Sequence, residues 1–120
     1  MDFELSPVEA RIIGALMEKE RTTPGNYPLS LNALTNACNQ KSNRNPVMDI
    51  SEDLIAGALD GLGFHRKLTK RQLSEDSRVP KYRHDITDVF SLSPQEYAVI
   101  CVLLLRGPQT LGEIRGRTER

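Results

Sequence analysis

The sequence predicts a mainly α chain with small β-hairpins, an α+β fold of the winged helix-turn-helix kind, in tandem repeat with the second copy truncated. Three observations carry this expectation. Three capped amphipathic segments precede two short strand-compatible segments. The pentad Leu5-Ser6-Pro7-Val8-Glu9 recurs as Leu92-Ser93-Pro94-Gln95-Glu96. The composition is 38% hydrophobic with only 5% aromatic and no Trp, so Leu, Ile, Val and Ala must build the core. That inventory suits a compact helical domain better than a sheet sandwich.

The first helix is announced by Ser6-Pro7-Val8-Glu9, a cap hydroxyl, a proline at the first helical position and a glutamate at the third. Val8, Ile12, Ile13, Leu16 and Met17 form its apolar stripe, and it is expected to run to about residue 20. Thr22 to Leu29 contains two prolines and a glycine and cannot continue it. Ser30 caps a shorter second helix with Leu31, Leu34 and Cys38 facing inward. Asn39 to Pro46 reads as a polar turn. Ser51-Glu52-Asp53 starts a third helix with its acids at the favourable end of the dipole. Ile50, Leu54, Ile55, Ala58, Leu59 and Leu62 are its expected apolar face, while Gly61 and Gly63 weaken its last turn. Leu68 to Leu73 and Arg78 to His84 then read as a hairpin with Ser74-Glu75-Asp76-Ser77 at the tip. Pro80 implies that the second strand is an edge strand or is interrupted.

Helix, helix, helix and hairpin is the winged-helix order, in which the third helix usually reads DNA and the hairpin tip touches the flanking backbone. Extending the repeat places Ile13 on Ile100, Leu16 on Leu103 and Lys19 on Arg106. Ser30-Leu31 and Leu34 correspond to Thr110-Leu111 and Ile114, after a shorter connection through Gly107-Pro108. One supersecondary unit used twice accounts for this match. The expected division is residues 1–88 as the first winged-helix domain and 89–120 as the first two helices of an incomplete second. The third helix and wing of that copy are expected in a longer protein.

Sixteen Lys and Arg balance sixteen Asp and Glu, which argues against nucleic-acid binding through bulk charge but leaves local patches open. The N-terminus lacks a basic stretch followed by an apolar run, so no secretory signal is expected. The longest apolar run, Tyr97 to Leu105, is far short of the ~20 residues of a membrane span. Cys38 and Cys101 both fall in helical patterns and read as small buried apolar residues. The expected compartment is the cytoplasm, with no membrane partner.

Several stretches carry a family resemblance. Leu5 to Arg11, Tyr27 to Arg44, Pro46-Val47-Met48, Lys81-Tyr82-Arg83-His84 and Leu103 to Thr110 resemble the bacterial YceH family, an uncharacterised group. The resemblance covers nearly the whole chain and is weakest from Phe64 to Asp76. It implies two tandem winged-helix domains, about one and a half of which are present, and supplies no catalytic or binding residues.

Charge is concentrated in Phe64 to His84, where Arg66, Lys67, Lys70, Arg71, Arg78, Lys81 and Arg83 outnumber Glu75 and Asp76. Such a wing would grip phosphates in a salt-dependent, sequence-independent way. The plainer reading is a ribbon kept soluble by its basic edge. The third helix carries Asp49, Glu52, Asp53 and Asp60 without a cation, an unfavourable surface for a phosphate-lined groove. DNA contact would therefore fall to Lys67, Lys70, Arg71, Arg78, Lys81 and Arg83 of the wing, with Lys41, Asn43 and Arg44 of the turn. That turn also reads as a plain polar loop whose Asn residues accept unusual backbone angles.

The segment Tyr97 to Leu105 is apolar on all sides and needs cover on all sides, from the first domain or from a second subunit. Tyr97, Ile100, Val102, Leu104 and Leu105 are the candidate interface, with a homodimer as the expected use. His65 and His84 lie in the basic stretch, where neighbouring cations would oppose their protonation. No triad, phosphate loop or zinc spacing is present, so no enzyme activity, metal, cofactor or small-molecule ligand is expected. Asp49, Glu52 and Asp53 are better explained as helix-start acids than as a metal site. Two functions stay open: a DNA-binding regulator working through its wing, and a protein-interaction module docking through the acidic third helix or the apolar helix of the second copy.

Overall fold

The computed structural model describes residues 4–74, 77–107 and 111–118. Glu75 and Asp76 at the expected hairpin tip, Pro108 and Thr110 of the repeat match, and the side chains of Leu111 and Ile114 lie outside the described residues. Among those described, the chain forms six α-helices and one three-stranded antiparallel sheet.

Each main helix starts where a serine hydroxyl satisfies an orphan amide. Helix α1 spans Pro7–Thr22. The Ser6 hydroxyl accepts from the Glu9 amide at 3.1 Å, and the Glu9 carboxylate accepts from the Ser6 amide at 2.8 Å. A single 3₁₀ turn, Pro24–Asn26, follows. Strand β1 is only Leu29–Ser30, and Ser30 then caps α2, Leu31–Cys38, through the Ala33 amide. Ser51 caps α3, Glu52–Asp60, which widens into a π-helical turn over Gly61–His65. Strands β2 (Thr69–Ser74) and β3 (Ser77–His84) form the hairpin. A one-turn helix α4 covers Ile86–Val89, α5 spans Pro94–Arg106 and α6 spans Leu111–Thr118. Ser93 and Glu96 repeat at α5 the reciprocal cap of α1, at 3.1 and 2.8 Å. The amide bonds at Ser93 hold the exposed Glu96 carboxyl below the usual carboxylate range.

The sheet order is β1-β3-β2, so of the two expectations for Pro80, an edge strand or an interrupted one, the structure has the interrupted one. β3 is the middle strand, but β1 reaches only Tyr82 and Lys81. At Pro80 the strand has β2 alone as a neighbour, and the register slips opposite it, between Gln72 and Ser74. A residue without an N–H is accommodated where pairing is already interrupted.

Helix α1 is the centre of the molecule. Its residues Arg11 to Met17 are buried without a break, because α2 and α3 pack on one side and α5 on the other. Ile12, Ile13, Leu16 and Met17 join Leu34, Ile55, Leu59, Leu62 and Leu68, and the same cluster takes in Cys101 and Leu105. Gly14 sets the spacing of α5. A Cβ there would stand 2.8 Å from Leu105 Cδ2 and 3.0 Å from Leu104 Cβ.

This packing assigns the apolar helix. Leu105 is 3% exposed, and Tyr97, Ile100 and Leu104 pack on the same core. Those four therefore contribute to the chain's own core, with Leu105 buried and Tyr97, Ile100 and Leu104 half-buried. Val102 points away from that stripe and is half-buried beside Arg21 and Arg117. Helix α1 of the same chain covers the main face of α5.

Candidate nucleic-acid interface

The two faces of the β2–β3 hairpin follow from its register. Residues directly opposite each other share a face. Lys70 pairs with Arg83 and Gln72 with Lys81, so these four lie together; Thr69 pairs with His84 and Arg71 with Tyr82 on the other face. Lys67, Lys70, Arg71 and Arg78 are exposed, whereas Lys81 and Arg83 are half-buried. Arg83 is also occupied: it meets Asp85 at 3.2 Å and Asp88 at 3.4 Å. Lys67 takes a left-handed backbone angle, φ 56°, where the chain leaves the π turn for β2. Lys67, Lys70, Arg71 and Arg78 are thus exposed cations along the hairpin and its approach.

The Lys41–Arg44 turn is not a free basic patch, and Arg44 is the correction that matters. Its side chain is buried, with the residue 5% exposed. The guanidinium grips both Glu18 oxygens, at 2.8 and 3.0 Å, and donates from Nε to the Ala37 carbonyl at 3.0 Å. Burial alone would raise the Glu18 carboxyl. The bonds and charge of Arg44, with the Lys19 charge, outweigh it and hold Glu18 below the usual range. Asn43 adopts φ 58°, the angle expected of an Asn in a polar turn, and its side-chain oxygen accepts from Arg106. Lys41 alone of the three candidates remains an exposed cation.

The loop around that turn is a buckle joining α1, α2 and α5. Asn39 pairs its amide with both backbone groups of Ile50, at 2.7 and 2.8 Å. The Asn45 amide donates to the Leu105 carbonyl at 3.0 Å. Arg11, buried in the first helix, donates to the Cys38 carbonyl at 2.8 Å and to that of Pro46. Burial and the neighbouring Arg44 charge lower its pKa. Arg11 lies three residues after Val8 and four before Ala15, on the apolar stripe, so the sequence held a signal for a buried cation.

His84 also departs from expectation. It is buried rather than set among solvated cations, 2% exposed, with Nε2 2.9 Å from Glu20 and 3.1 Å from the Tyr97 hydroxyl. Its Nδ1 accepts the Ile86 amide at 3.1 Å, which places the ring proton of the neutral imidazole on Nε2, toward Glu20. The Tyr97 hydroxyl sits 2.8 Å from both the Met17 carbonyl and Glu20, and shares one proton between them. Burial, with the Glu20 bond and charge, raises the Tyr97 phenol, and burial raises Tyr27. The cluster ties the end of β3 to α1 and α5. Cys38 and Cys101 are free and buried, their thiols pushed up to about 12 by burial. Among the described residues no three His, Cys, Asp or Glu side chains converge as a metal-ligand set, and no helix is long and apolar enough to cross a membrane.

The outer face of α3 carries Glu52, Asp53, Leu54, Gly57 and Asp60, all exposed and without a cation. Leu54 is 62% exposed, so it is not the core residue its helical spacing suggested. Beyond it, the π turn presents Phe64, 81% exposed, with its ring edge-on to His65 at 5.2 Å. Phe64, Leu59, Asp60, Thr69, Arg71 and Tyr82 line a groove of about 450 Å³ between the end of α3 and β2. Sequence reasoning missed Phe64. Its signal was its position off the Ile55–Leu59–Leu62 stripe, just after two glycines.

A family model described as "Protein of unknown function, DUF480" matches residues 5–120. The chain is 58% identical over 120 residues to a UPF0502 protein of Pelobacter propionicus, covering 100% of this chain and 54% of that relative. It is 55% identical to a UPF0502 protein of Solibacter usitatus, covering 100% and 57%. A UPF0502 protein of Vibrio vulnificus is 55% identical over 124 residues, covering 100% and 56%. The chain spans about half the length of the curated relatives it matches.

Proposed function

This chain belongs to the DUF480 family, described as proteins of unknown function, and we propose that it is a non-enzymatic winged-helix module that holds DNA by the phosphate backbone. Supporting the winged-helix reading is the order helix, short strand, helix, helix, hairpin, with the short strand added to the far side of the hairpin. Supporting a tandem arrangement, of the kind the YceH resemblance implies, are the matching reciprocal caps of α1 and α5.

The observation that carries the function is the placement of charge. Lys67, Lys70, Arg71 and Arg78 stand in solvent on the hairpin and its approach, while the third helix offers acids and no cation. Phosphates favour the first surface and oppose the second, so the wing grips and base reading in the major groove is disfavoured. The test is fluorescence anisotropy of a random-sequence duplex across a salt series. Four phosphate contacts give a log–log slope of about −3.6, and Lys70→Ala with Arg71→Ala should flatten it by about 1.8. Absence of binding at low salt, or a slope indifferent to both substitutions, overturns the reading.

A second reading rests on Val47 and Leu54, exposed beside Asp49, Glu52 and Asp53. An apolar spot rimmed by acids suits a basic amphipathic segment of a protein partner, a second copy included. Leu54→Asp should abolish capture of such a partner and leave DNA binding intact.

A further inference from the structure

We infer that the groove between the end of α3 and β2 takes an unpaired nucleobase, stacked on Phe64, so that the protein prefers single-stranded to double-stranded nucleic acid. This rests on the phosphate-gripping wing and adds the class of strand that the wing serves.

Among the described residues Phe64 is the most exposed large apolar side chain, and the backbone is arranged to keep it there. The π turn closes through the Arg66 amide on the Gly61 carbonyl at 3.2 Å and the Leu68 amide on the Leu62 carbonyl at 2.9 Å. Single-turn π segments recur at functional sites because the extra residue re-aims a side chain. Here Leu62 is buried in the core, and Phe64 is sent outward to line the groove. Tyr82 adds a second ring to the lining.

The rest of the lining fits a base and its phosphate. Asp60 can accept from the N3–H of an unpaired thymine or from an exocyclic amino group, and Arg71 can donate to ring or carbonyl acceptors. Arg71, exposed on the same hairpin face as Thr69 and Tyr82, is the cation of the groove lining, and the exposed Lys67 and Lys70 flank Thr69 in the chain. Stacking platforms beside cations that track the backbone are the general means of holding single strands. Bases within a duplex are already stacked on both faces and offer Phe64 nothing. An apolar protein segment would fill the same groove but gain nothing from the Arg71 guanidinium and Asp60 carboxylate of its lining.

The test uses the full chain with fluorescein-labelled oligothymidylate of twelve nucleotides and a twelve-pair duplex at one salt concentration. The oligothymidylate should bind more tightly. Phe64→Ala should weaken it about tenfold while moving duplex affinity less than twofold. The chain has no Trp, so Phe64→Trp places a single indole at the platform, and its fluorescence should be quenched by the single strand and not by the duplex. Melting of both variants by circular dichroism checks that the exposed position leaves the fold intact. If the duplex binds with the expected salt slope but Phe64→Ala weakens both probes equally or neither, base stacking is refuted and the wing reading stands. An unquenched Phe64→Trp that still binds the single strand also refutes it. If neither probe binds, both readings fall, and the groove is left to a protein segment.

Discussion

Replacing Arg44 by methionine tests whether the Lys41–Arg44 turn is a structural clamp. The substitution keeps an apolar stem of similar length and removes the guanidinium that holds Glu18 at 2.8 and 3.0 Å and Ala37 at 3.0 Å. Glu18 then keeps a largely buried charge with only Lys19, at 3.3 Å, as a partner. Removing one member of a buried pair costs about 3–5 kcal/mol, and the residual lysine argues for the lower end, about 3 kcal/mol. In a chain of this size that lowers Tm by about 12 °C. The pH dependence has a definite sign. In the native protein Glu18 sits below its unfolded value, so its contribution is present above the ordinary carboxylate range and lost as pH falls through the folded value. Without Arg44, burial dominates and raises Glu18 above its unfolded value. Protonation then relieves the variant, and the gap to the native protein should be widest near pH 7 and narrow toward about pH 4. Urea unfolding across that range measures both curves. Glu18→Leu added to Arg44→Met should recover much of the loss. A loss below about 1 kcal/mol, or a gap that does not change with pH, would refute the clamp.

Two further outcomes follow from the α1–α5 contact and the buried thiols. Gly14→Ala gains about 1 kcal/mol of helix propensity but drives a methyl to within 2.8 Å of Leu105; overpacking should win, with a net loss of about 1–2 kcal/mol and faster amide exchange in α5, both absent if α5 does not rest on α1. Cys38 and Cys101, with thiols raised to about 12, should resist a thiol reagent near pH 8 in the folded protein and both react in denaturant; rapid labelling of the native chain would show that this burial is wrong.

The legible parts of the fold were those written within a few residues. The four serine caps, the apolar stripes of α1 and α2 and the hairpin with its interrupted strand all rest on contacts a turn apart or across a short loop. Their neighbours in space are their neighbours in sequence. Strand β1 was not legible because two residues have no period to read. Leu54 was misread because α3 is narrower on its buried side than its apolar residues suggest. In the candidate interface, the wing cations could be found from their clustering between Phe64 and His84. Whether each one faces solvent could not, because burial of Arg44 and occupation of Arg83 depend on Glu18, Asp85 and Asp88 arriving beside them.

The sequence by itself determined the long helices and the hairpin, where α1, α2, α3 and α5 begin, and that charge is divided between an acidic third helix and a basic hairpin. Only the tertiary structure decided that the apolar α5 spends its main face on α1, that Arg11 and Arg44 are internal fasteners, and that Phe64 stands in solvent above a groove. The first set depends on short-range hydrogen bonds and side-chain periodicity, which any segment carries with it. The second depends on which distant surfaces meet, since a guanidinium becomes buried or a ring exposed only by what packs around it.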